Sequence, residues 1–368
     1  TIIIVLFISR YDKIKNKIFF LTPLILLLMP EFYLHAGVVS TDTILNFSII
    51  LVMLSFWEAV GKESGSKWWY GFFMGIGLGL LSKGPIILIL TIPPILIWFL
   101  VYKDELKKLK KIPIFSGLSL TFLISFPWYY YMELKSPGFI DYFIYGEHFR
   151  RFLDSGWKGD LYGFAKQQPY GIIWLFSIIG IFPWSLLIIG SFKKIINEAY
   201  RSKWVCFLLC WMLFTPVFFT FSSSLIHTYT LPMSIPAALL ITHFWLEFKF
   251  KKFCLYLSAL LYLAILPVFY SGVIDETIQN NCDKEFVENE LVSDYSLFYL
   301  NYKSFSSQFY SLGSIKMINM DQLKEKIANE EKFAVIIENS EMKKMDLFTI
   351  KKLKEIKKTK KKNLYIFK

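Results

Sequence analysis

Residues 68–102 read WWYGFFMGIGLGLLSKGPIILILTIPPILIWFLVY, which is two apolar runs joined by Ser-Lys-Gly-Pro at positions 82–85. Lys83 is the only charged residue in this stretch of sequence. An apolar helix of about 20 residues crosses the hydrocarbon core of a bilayer. Glycine allows a tight turn, and proline is favoured at the start of the helix that follows. The stretch therefore predicts two membrane helices with a single lysine at the turn between them.

The rest of the chain repeats this pattern. Hydrophobic residues make up 55% of the 368 positions, and the mean hydropathy is +0.45. Such a chain carries more apolar surface than a soluble core can bury. We therefore predict a polytopic α-helical membrane protein with about ten transmembrane segments. The apolar runs are 1–9, 18–36, 44–60, 68–82, 84–102, 112–132, 170–191, 204–222, 226–247 and 253–273.

The two ends of the chain differ from this pattern. The run at 1–9 is too short to span a bilayer, so we interpret it as the end of a membrane helix and expect the chain to be a fragment. Residues 274–368 are polar and rich in lysine, with short strand-like runs at 333–337 and 364–367. The sequence predicts a multi-helix membrane domain over 1–273 and a small C-terminal soluble α/β domain over 274–368.

The basic residues predict the orientation. Loops that follow odd-numbered runs hold 18 lysines and arginines, whereas those after runs two, four, six and eight hold six. This bias assigns the odd-run loops to the cytoplasm and the loop 133–169 to the outside. The C-terminal domain then lies outside too. The abundance of Phe, Ile and Lys indicates an AT-rich genome, which favours a bacterial inner membrane. Because the excess of cations lies in short loops rather than on one folded face, no nucleic-acid partner is expected.

Polar groups concentrate near the predicted outer face. Ionisable side chains at membrane depth are costly, so they often mark function. Asp42 precedes an apolar helix, where it could also be a simple helix cap. Lys83 can pair with a phosphate, although a lysine reaching toward lipid headgroups is the alternative. The other outer groups are Glu31, His35, His227 and the charged residues of 133–166.

Two further outer segments carry candidate residues. Over 139–153, an α-helical period would place the aromatic side chains on one face and Glu147, His148 and Arg151 on the other. This predicts an amphipathic helix in the membrane interface, with a passive strut as the alternative. The polar break at 222–232 presents Tyr229, although this segment taken alone is better explained by a plain turn before a proline-kinked helix.

Six segments in order resemble one family of membrane enzymes. The chain resembles the bacterial dolichyl-phosphate-mannose–protein mannosyltransferase-like family, which includes the aminoarabinose transferases that modify lipid A. The resemblance covers residues 1 to about 245. Its motifs are Ser40-Thr41-Asp42, Leu81-Ser82-Lys83-Gly84-Pro85, Pro127-Trp128-Tyr129 with Pro137-Gly138-Phe139, Glu147-His148-Phe149-Arg150-Arg151-Phe152, Phe182-Pro183-Trp184 and Thr228-Tyr229-Thr230-Leu231-Pro232.

The resemblance implies a GT-C membrane glycosyltransferase. Such enzymes move a sugar from a polyprenyl-phosphate carrier to a lipid or protein acceptor outside the cytoplasm. It implies that the catalytic carboxylate precedes Thr1, so this fragment should lack activity, and that Asp42 has a supporting role. Lys83, Arg151 and Tyr229 would bind the donor phosphate, with Glu147 beside them. His148 would join a divalent metal site, zinc or a similar ion.

Other functions remain open at this point. A secondary transporter would also have many helices with polar groups at depth, but transporters tend to place broken helices and their site at the midplane. A different GT-C enzyme, such as a polysaccharide ligase or polymerase, and a non-catalytic scaffold are the remaining alternatives. An outer loop with an acidic residue upstream of Thr1 would favour transfer.

Overall fold

The computed structural model describes residues 20–36, 40–61, 66–154, 157, 159, 167–222, 224–272, 275, 280–302 and 304–367. The chain forms two compact units, Thr1–Tyr262 and Leu263–Lys368. The predicted run at 1–9 lies outside the described residues. The predicted domain boundary at residue 273 marks a change in composition and stays a prediction.

The first unit is helical. A 3-10 helix at Lys103–Lys111, a π-helix at Asp141–Arg150 and a 3-10 turn at His227–Thr230 separate some of its α-helices. The α-helices are α1 (Leu21–Leu27), α2 (Pro30–Ala36), α3 (Thr41–Gly61), α4 (Trp68–Lys83), α5 (Ile86–Val101), α6 (Ile114–Lys135), α7 (Arg151–Leu153), α8 (Ile172–Gly180), α9 (Ser185–Gly190), α10 (Phe192–Ala199), α11 (Lys203–Phe219), α12 (Leu231–His243) and α13 (Lys251–Tyr270).

Helix α3 lies at the centre of this unit. Its residues from Ile49 to Leu54 are at most 7% exposed, so other helices surround it. Helix α4 packs closely along it, because a Cβ at Gly75 would lie 2.7 Å from Val52 Cγ2 and 3.0 Å from the Ser48 carbonyl oxygen. Small residues allow two membrane helices to approach at backbone distance. This close packing fixes the C-terminal end of α4 relative to the first turn of α3.

The predicted count of ten transmembrane segments is not confirmed. Among the described residues, two helical stretches, Thr41–Gly61 and Lys251–Val268, are long and apolar enough to cross a membrane alone. The pair Lys103–Lys111 and Ile114–Lys135 also qualifies as one span, with a bend of 74° between its parts. Several predicted runs correspond to shorter helices, because an apolar run need not be one continuous helix.

The run at 18–36 shows the reason. It is two short helices, α1 and α2, and the second begins at Pro30. Proline has no backbone N–H and is favoured in the first turn of a helix, so it ends one segment and begins the next. The run at 170–191 is likewise divided into α8 and α9.

The segment 139–153 is not the regular amphipathic α-helix that the sequence predicts. It is mainly a π-helix, Asp141–Arg150, continued by the short helix α7. In a π-helix, residues five apart in sequence are neighbours. Accordingly, the Tyr142 hydroxyl donates to Glu147 Oε1 at 2.5 Å, and His148 Nδ1 lies 2.7 Å from the Phe143 carbonyl oxygen. The predicted separation of an aromatic face from a polar face is therefore wrong, since these side chains lie together.

The second unit contains a five-stranded sheet. Its strands are β1 (Ser296–Leu300), β2 (Lys316–Ile318), β3 (Phe333–Glu338), β4 (Lys354–Lys358) and β5 (Lys362–Phe367), in the order β2-β1-β3-β5-β4. Strand β1 is parallel to β2 and β3, whereas β5 is antiparallel to β3 and β4. Its helices are α14 (Lys284–Val287), α15 (Phe305–Tyr310), α16 (Met320–Ala328), α17 (Asn339–Met342) and α18 (Leu347–Lys352), with a 3-10 turn at Glu290–Val292.

A buried ion pair connects the two ends of this unit. Asp283, fully buried, pairs with Lys362 of β5, which is 6% exposed. The hydroxyls of Ser304 and Ser307 donate to the second carboxylate oxygen, Ser307 at 2.7 Å. A buried charge pair is tolerated when additional hydrogen bonds satisfy its remaining atoms. The network ties the last strand to the segment that begins the unit.

Candidate functional site

The six predicted site residues meet in one cavity of the first unit. The cavity has a volume of about 770 Å³. Its lining comes from the start of α3, the turn between α4 and α5, the π-helix with α7, and the turn before α12. The predicted residues in the lining are Asp42, Lys83, Glu147, His148, Arg151 and Tyr229.

Asp42 lies in the first turn of α3. Its backbone N–H donates to the Ser40 hydroxyl at 3.1 Å, so Ser40 satisfies a free N–H of the helix start. The Asp42 carboxylate accepts from the Ser40 hydroxyl at 3.3 Å and also from two partners far away in sequence. Oδ1 pairs with the Lys83 ammonium, and Oδ2 accepts from the Thr228 hydroxyl at 3.3 Å. The carboxylate thus joins two segments far apart in sequence, which a simple helix cap would not do.

Lys83 ends helix α4 and is one-quarter exposed. Its ammonium pairs with Asp42 and lies 4.6 Å from the centre of the Tyr229 ring. A cation over an aromatic face is stabilised by the ring quadrupole. The next residue, Gly84, has φ +66°, and a Cβ there would lie 2.9 Å from His148 Cε1. Only glycine therefore fits both the backbone conformation and the space beside His148.

Arg151 and Glu147 form a second ion pair in the lining. Arg151 Nη1 donates to Glu147 Oε2 at 2.8 Å, while the Tyr142 hydroxyl donates to Oε1 of the same carboxylate. The neighbouring Arg150 is exposed and does not line the cavity. The cavity therefore holds two cations and two carboxylates, arranged as two pairs.

His148 is held by the backbone. Nε2 lies 2.6 Å from the Lys83 carbonyl oxygen, and Nδ1 lies 2.7 Å from the Phe143 carbonyl oxygen. A histidine binds a metal ion through a ring nitrogen lone pair, and in this arrangement both nitrogens face acceptors. In the described part of the chain, no three His, Cys, Asp or Glu side chains are grouped so as to hold a metal. The predicted metal role of His148 stays a prediction, and no chemical step is assigned to a metal.

Sequence reasoning missed two polar members of the site. Thr228 belongs to the Thr-Tyr-Thr motif without being a predicted site residue, yet its hydroxyl donates to the Asp42 carboxylate. Tyr142 was assigned to the lipid-facing aromatic side, because an α-helical period was assumed. The motif Thr-Tyr-Thr gave a signal for the first, but the sequence carries no signal for the π-helical spacing that brings Tyr142 to Glu147.

An apolar groove lies next to the cavity. It has a volume of about 620 Å³ and is lined by residues of α6 together with Leu81. Leu81 and Trp128 line both the groove and the polar cavity. A molecule with a charged head and a long apolar tail could therefore contact both without passing through the protein core.

Comparisons with known proteins match parts of this chain to one family model and to curated relatives. The family model described as dolichyl-phosphate-mannose-protein mannosyltransferase matches residues 1–143. The chain is 32% identical over 231 residues to an undecaprenyl phosphate-alpha-4-amino-4-deoxy-L-arabinose arabinosyl transferase of Wigglesworthia glossinidia brevipalpis, covering 62% of this chain and 40% of that protein. It is 26% identical over 207 residues to the enzyme of the same name from Erwinia tasmaniensis, covering 55% of this chain and 35% of the relative.

The fold is similar to that of two solved structures. The crystal structure of ArnT from Cupriavidus metallidurans bound to undecaprenyl phosphate superposes with a TM-score of 0.76 at 15% identity, covering 99% of this chain and 81% of that one. The apo form gives a TM-score of 0.74 at 14% identity, with the same coverage.

The comparisons confirm the predicted family resemblance and the mostly helical GT-C fold. The matched segment spans little more than a third of the length of the curated relatives. Activity, donor and acceptor are therefore matters for a proposal.

Proposed function

We propose that this chain carries the donor-binding cavity of a glycosyltransferase that moves a sugar from a polyprenyl-phosphate carrier to an acceptor. The observation that carries the proposal is the meeting of Lys83, Arg151 and Tyr229 in one cavity, from three separate segments. Lysine and arginine are the residues that proteins use to bind phosphate oxygens. Two relatives named as undecaprenyl phosphate aminoarabinose arabinosyl transferases match 207 and 231 residues of this chain.

The two ion pairs define how the donor phosphate binds. In the structure Lys83 is engaged by Asp42 and Arg151 by Glu147. A phosphate entering the cavity competes with these carboxylates for the two cations. Arginine can donate two parallel hydrogen bonds to phosphate oxygens, whereas lysine acts as a compact charge. Without the donor, the two ion pairs would thus leave the cavity open and without net charge. When the donor binds, its phosphate would replace the carboxylates as the partner of the two cations.

The apolar groove suits the carrier's tail. It adjoins the cavity at Leu81 and Trp128, and helix α6 beside it exposes apolar side chains including Leu123 and Tyr131. An isoprenoid chain buried there keeps its hydrocarbon out of water while its phosphate reaches the cations. A nucleotide-linked sugar has no long apolar tail to fill such a groove.

The reaction needs charge stabilisation at the leaving group. An acceptor oxygen attacks the anomeric carbon, the bond from that carbon to the phosphate oxygen breaks, and the bonding electron pair stays on the phosphate. Lys83 and Arg151 would stabilise the negative charge that develops there. The acceptor's proton must pass to a base. No described residue is assigned this role, and Asp42 keeps the supporting role that the family resemblance implies.

The same proposal includes the membrane arrangement. The chain would cross the bacterial inner membrane about ten times, with the cavity and the C-terminal domain 274–368 outside the cytoplasm. The bias of basic residues toward the opposite loops supports this orientation. The acceptor would be a lipid or a protein that is reached from the outer face.

Binding of undecaprenyl phosphate by the purified chain in lipid nanodiscs tests the proposal. We expect saturable binding that undecaprenol, which has the same tail without phosphate, does not reproduce. Lys83→Met should weaken binding at least about tenfold, whereas Lys194→Met, on α10 and away from both the cavity and the groove, should not. Equal binding of both lipids would refute a phosphate site. Transfer itself is measured with the complete gene product, as release of polyprenyl phosphate coupled to a glycosylated acceptor, an outcome that a transporter would not give.

A further inference from the structure

Glu31 is a buried carboxylate behind the cavity rather than in it. It lies in the first turn of α2 and is 3% exposed, and it is not part of the cavity lining. Its oxygens lie 3.1 and 3.2 Å from His227 Nδ1, and Oε1 lies 3.3 Å from His35 Nδ1. A buried carboxylate is costly unless donors engage it. The residues that contact Glu31 therefore indicate its role.

The main partner, His227, begins the turn that enters the cavity. The 3-10 turn His227–Thr230 places Thr228 against Asp42 and Tyr229 under the Lys83 ammonium. The turn closes on itself through the Thr230 hydroxyl, which donates to the His227 carbonyl oxygen at 2.9 Å. Fixing His227 therefore fixes the two residues that follow it.

The surrounding packing leaves little room for Glu31 to move. Gly180, at the end of α8, approaches so closely that a Cβ there would lie 3.1 Å from Glu31 Cβ and 3.3 Å from Thr230 Oγ1. His35, which is 6% exposed, donates its Nδ1–H to the Glu31 carbonyl oxygen, 2.8 Å away. By contrast, the side chain of His227 is 54% exposed, so the apolar core does not hold it. The ring is hydrogen-bonded to the Glu31 carboxylate and also contacts the edge of the His35 ring, with 5.8 Å between the ring centroids.

We propose that Glu31 is a positioning residue, which holds the turn His227–Thr230 so that Thr228 and Tyr229 complete the donor-phosphate site. The inference rests on the proposed function for its role in donor binding. The positioning itself follows from the Glu31–His227 contact alone. Glu31 touches neither the donor nor the reacting atoms in this account.

Two variants remove the contact from opposite sides. Glu31→Leu replaces the buried carboxylate with an apolar side chain, and His227→Ala removes its partly exposed partner without opening the core. Glu31→Gln keeps an oxygen acceptor for His227 Nδ1–H and is the conservative rescue. Thr22→Val is the control, because Thr22 is fully buried and bonds to Thr242 at 2.8 Å, away from the turn.

Hydrogen–deuterium exchange of the backbone amides at 225–231 measures how firmly the turn is held, and it needs no ligand. We expect faster exchange in Glu31→Leu and His227→Ala, near-parental exchange in Glu31→Gln, and no change there in Thr22→Val. Undecaprenyl phosphate affinity should fall about tenfold in the first two and stay within about threefold in the others.

The outcomes separate the two proposals. Parental exchange at 225–231 in His227→Ala would overturn the positioning role, even if Glu31→Leu does not fold. Glu31→Gln that exchanges as fast as His227→Ala would overturn it too, because hydrogen bonding would then not suffice to hold the turn. A parent chain that does not bind undecaprenyl phosphate defeats the proposed function, and the exchange data still decide whether Glu31 fixes the turn.

Discussion

Asp42 and Lys83, 41 residues apart in the chain, form an ion pair inside the cavity of the helical unit. The carboxylate is at the start of α3 and the ammonium at the end of α4. These two helices pack at backbone distance along their length, so the pair lies at one end of a rigid contact. Lys83 is thus not a lone cation at a membrane turn. Its charge is compensated until another anion replaces Asp42.

This pairing predicts opposite effects for the two partners. Lys83→Met should weaken undecaprenyl phosphate binding at least about tenfold, whereas Asp42→Asn should strengthen it about threefold or more, because phosphate no longer competes with a carboxylate. Isothermal titration in nanodiscs measures both. A loss of binding in Asp42→Asn equal to that in Lys83→Met would mean that Asp42 orients the lysine rather than competing for it.

The adjacent arginines give a matched comparison. The chain has 37 lysines and four arginines, so arginine is used sparingly, and Arg150 and Arg151 are neighbours. Arg151 lines the cavity while Arg150 is exposed. We expect Arg151→Lys to lose most transfer activity in the complete gene product, because lysine keeps the charge and loses the planar fork. Arg150→Lys is expected to lose little. If both variants behave like the parent, Arg151 is not a phosphate ligand.

The orientation can be measured in intact cells. Lys108 lies in the 3-10 helix that precedes α6, and Lys135 is the last residue of α6, so single cysteines at these positions mark the two ends of this helix. The basic-residue bias predicts that a membrane-impermeant thiol reagent labels the cysteine at position 135 and not the one at position 108. Replacing the four native cysteines with alanine removes background labelling. Labelling at position 108 in sealed cells would reverse the assigned orientation.

Removing one partner of the buried Asp283–Lys362 pair in the second unit should greatly reduce the stability of that unit. Lys362→Met leaves the fully buried Asp283 charge without its partner, which should cost about 3–5 kcal/mol. The double variant Asp283→Leu with Lys362→Met should recover much of that loss, since no unpaired charge remains. Lys344→Met removes an exposed pair with Glu341 and should cost no more than about 1 kcal/mol. Denaturant-dependent hydrogen exchange of the β5 amides measures each change. Equal effects of Lys362→Met and Lys344→Met would contradict the account.

Much of the site was predictable because lipid makes polar residues conspicuous. Asp42 and Lys83 flank long apolar runs, where an ionisable side chain is costly and therefore often marks function. The sequence therefore identified the members of the cavity without any distances. The family resemblance rested on the same residues, since the motifs that carry it are the polar breaks between helices.

Local sequence also determined most of the secondary structure. Apolar runs become helices because a membrane offers no other partner for the backbone N–H and C=O groups. Proline at position 30 begins α2 for a local reason, its missing N–H. These effects act within a few residues, so a reader of the sequence can see them.

The tertiary structure alone decided the partners. Asp42 with Lys83, and Glu31 with His227, which is 196 residues away, pair because helix packing brings distant segments together. No local pattern encodes those distances. The π-helical turn that joins Tyr142 to Glu147 was equally hidden, since its spacing departs from the regular α-helical period by about one residue. The sequence thus supplied the charges and the helices, and packing determined which charges neutralise one another.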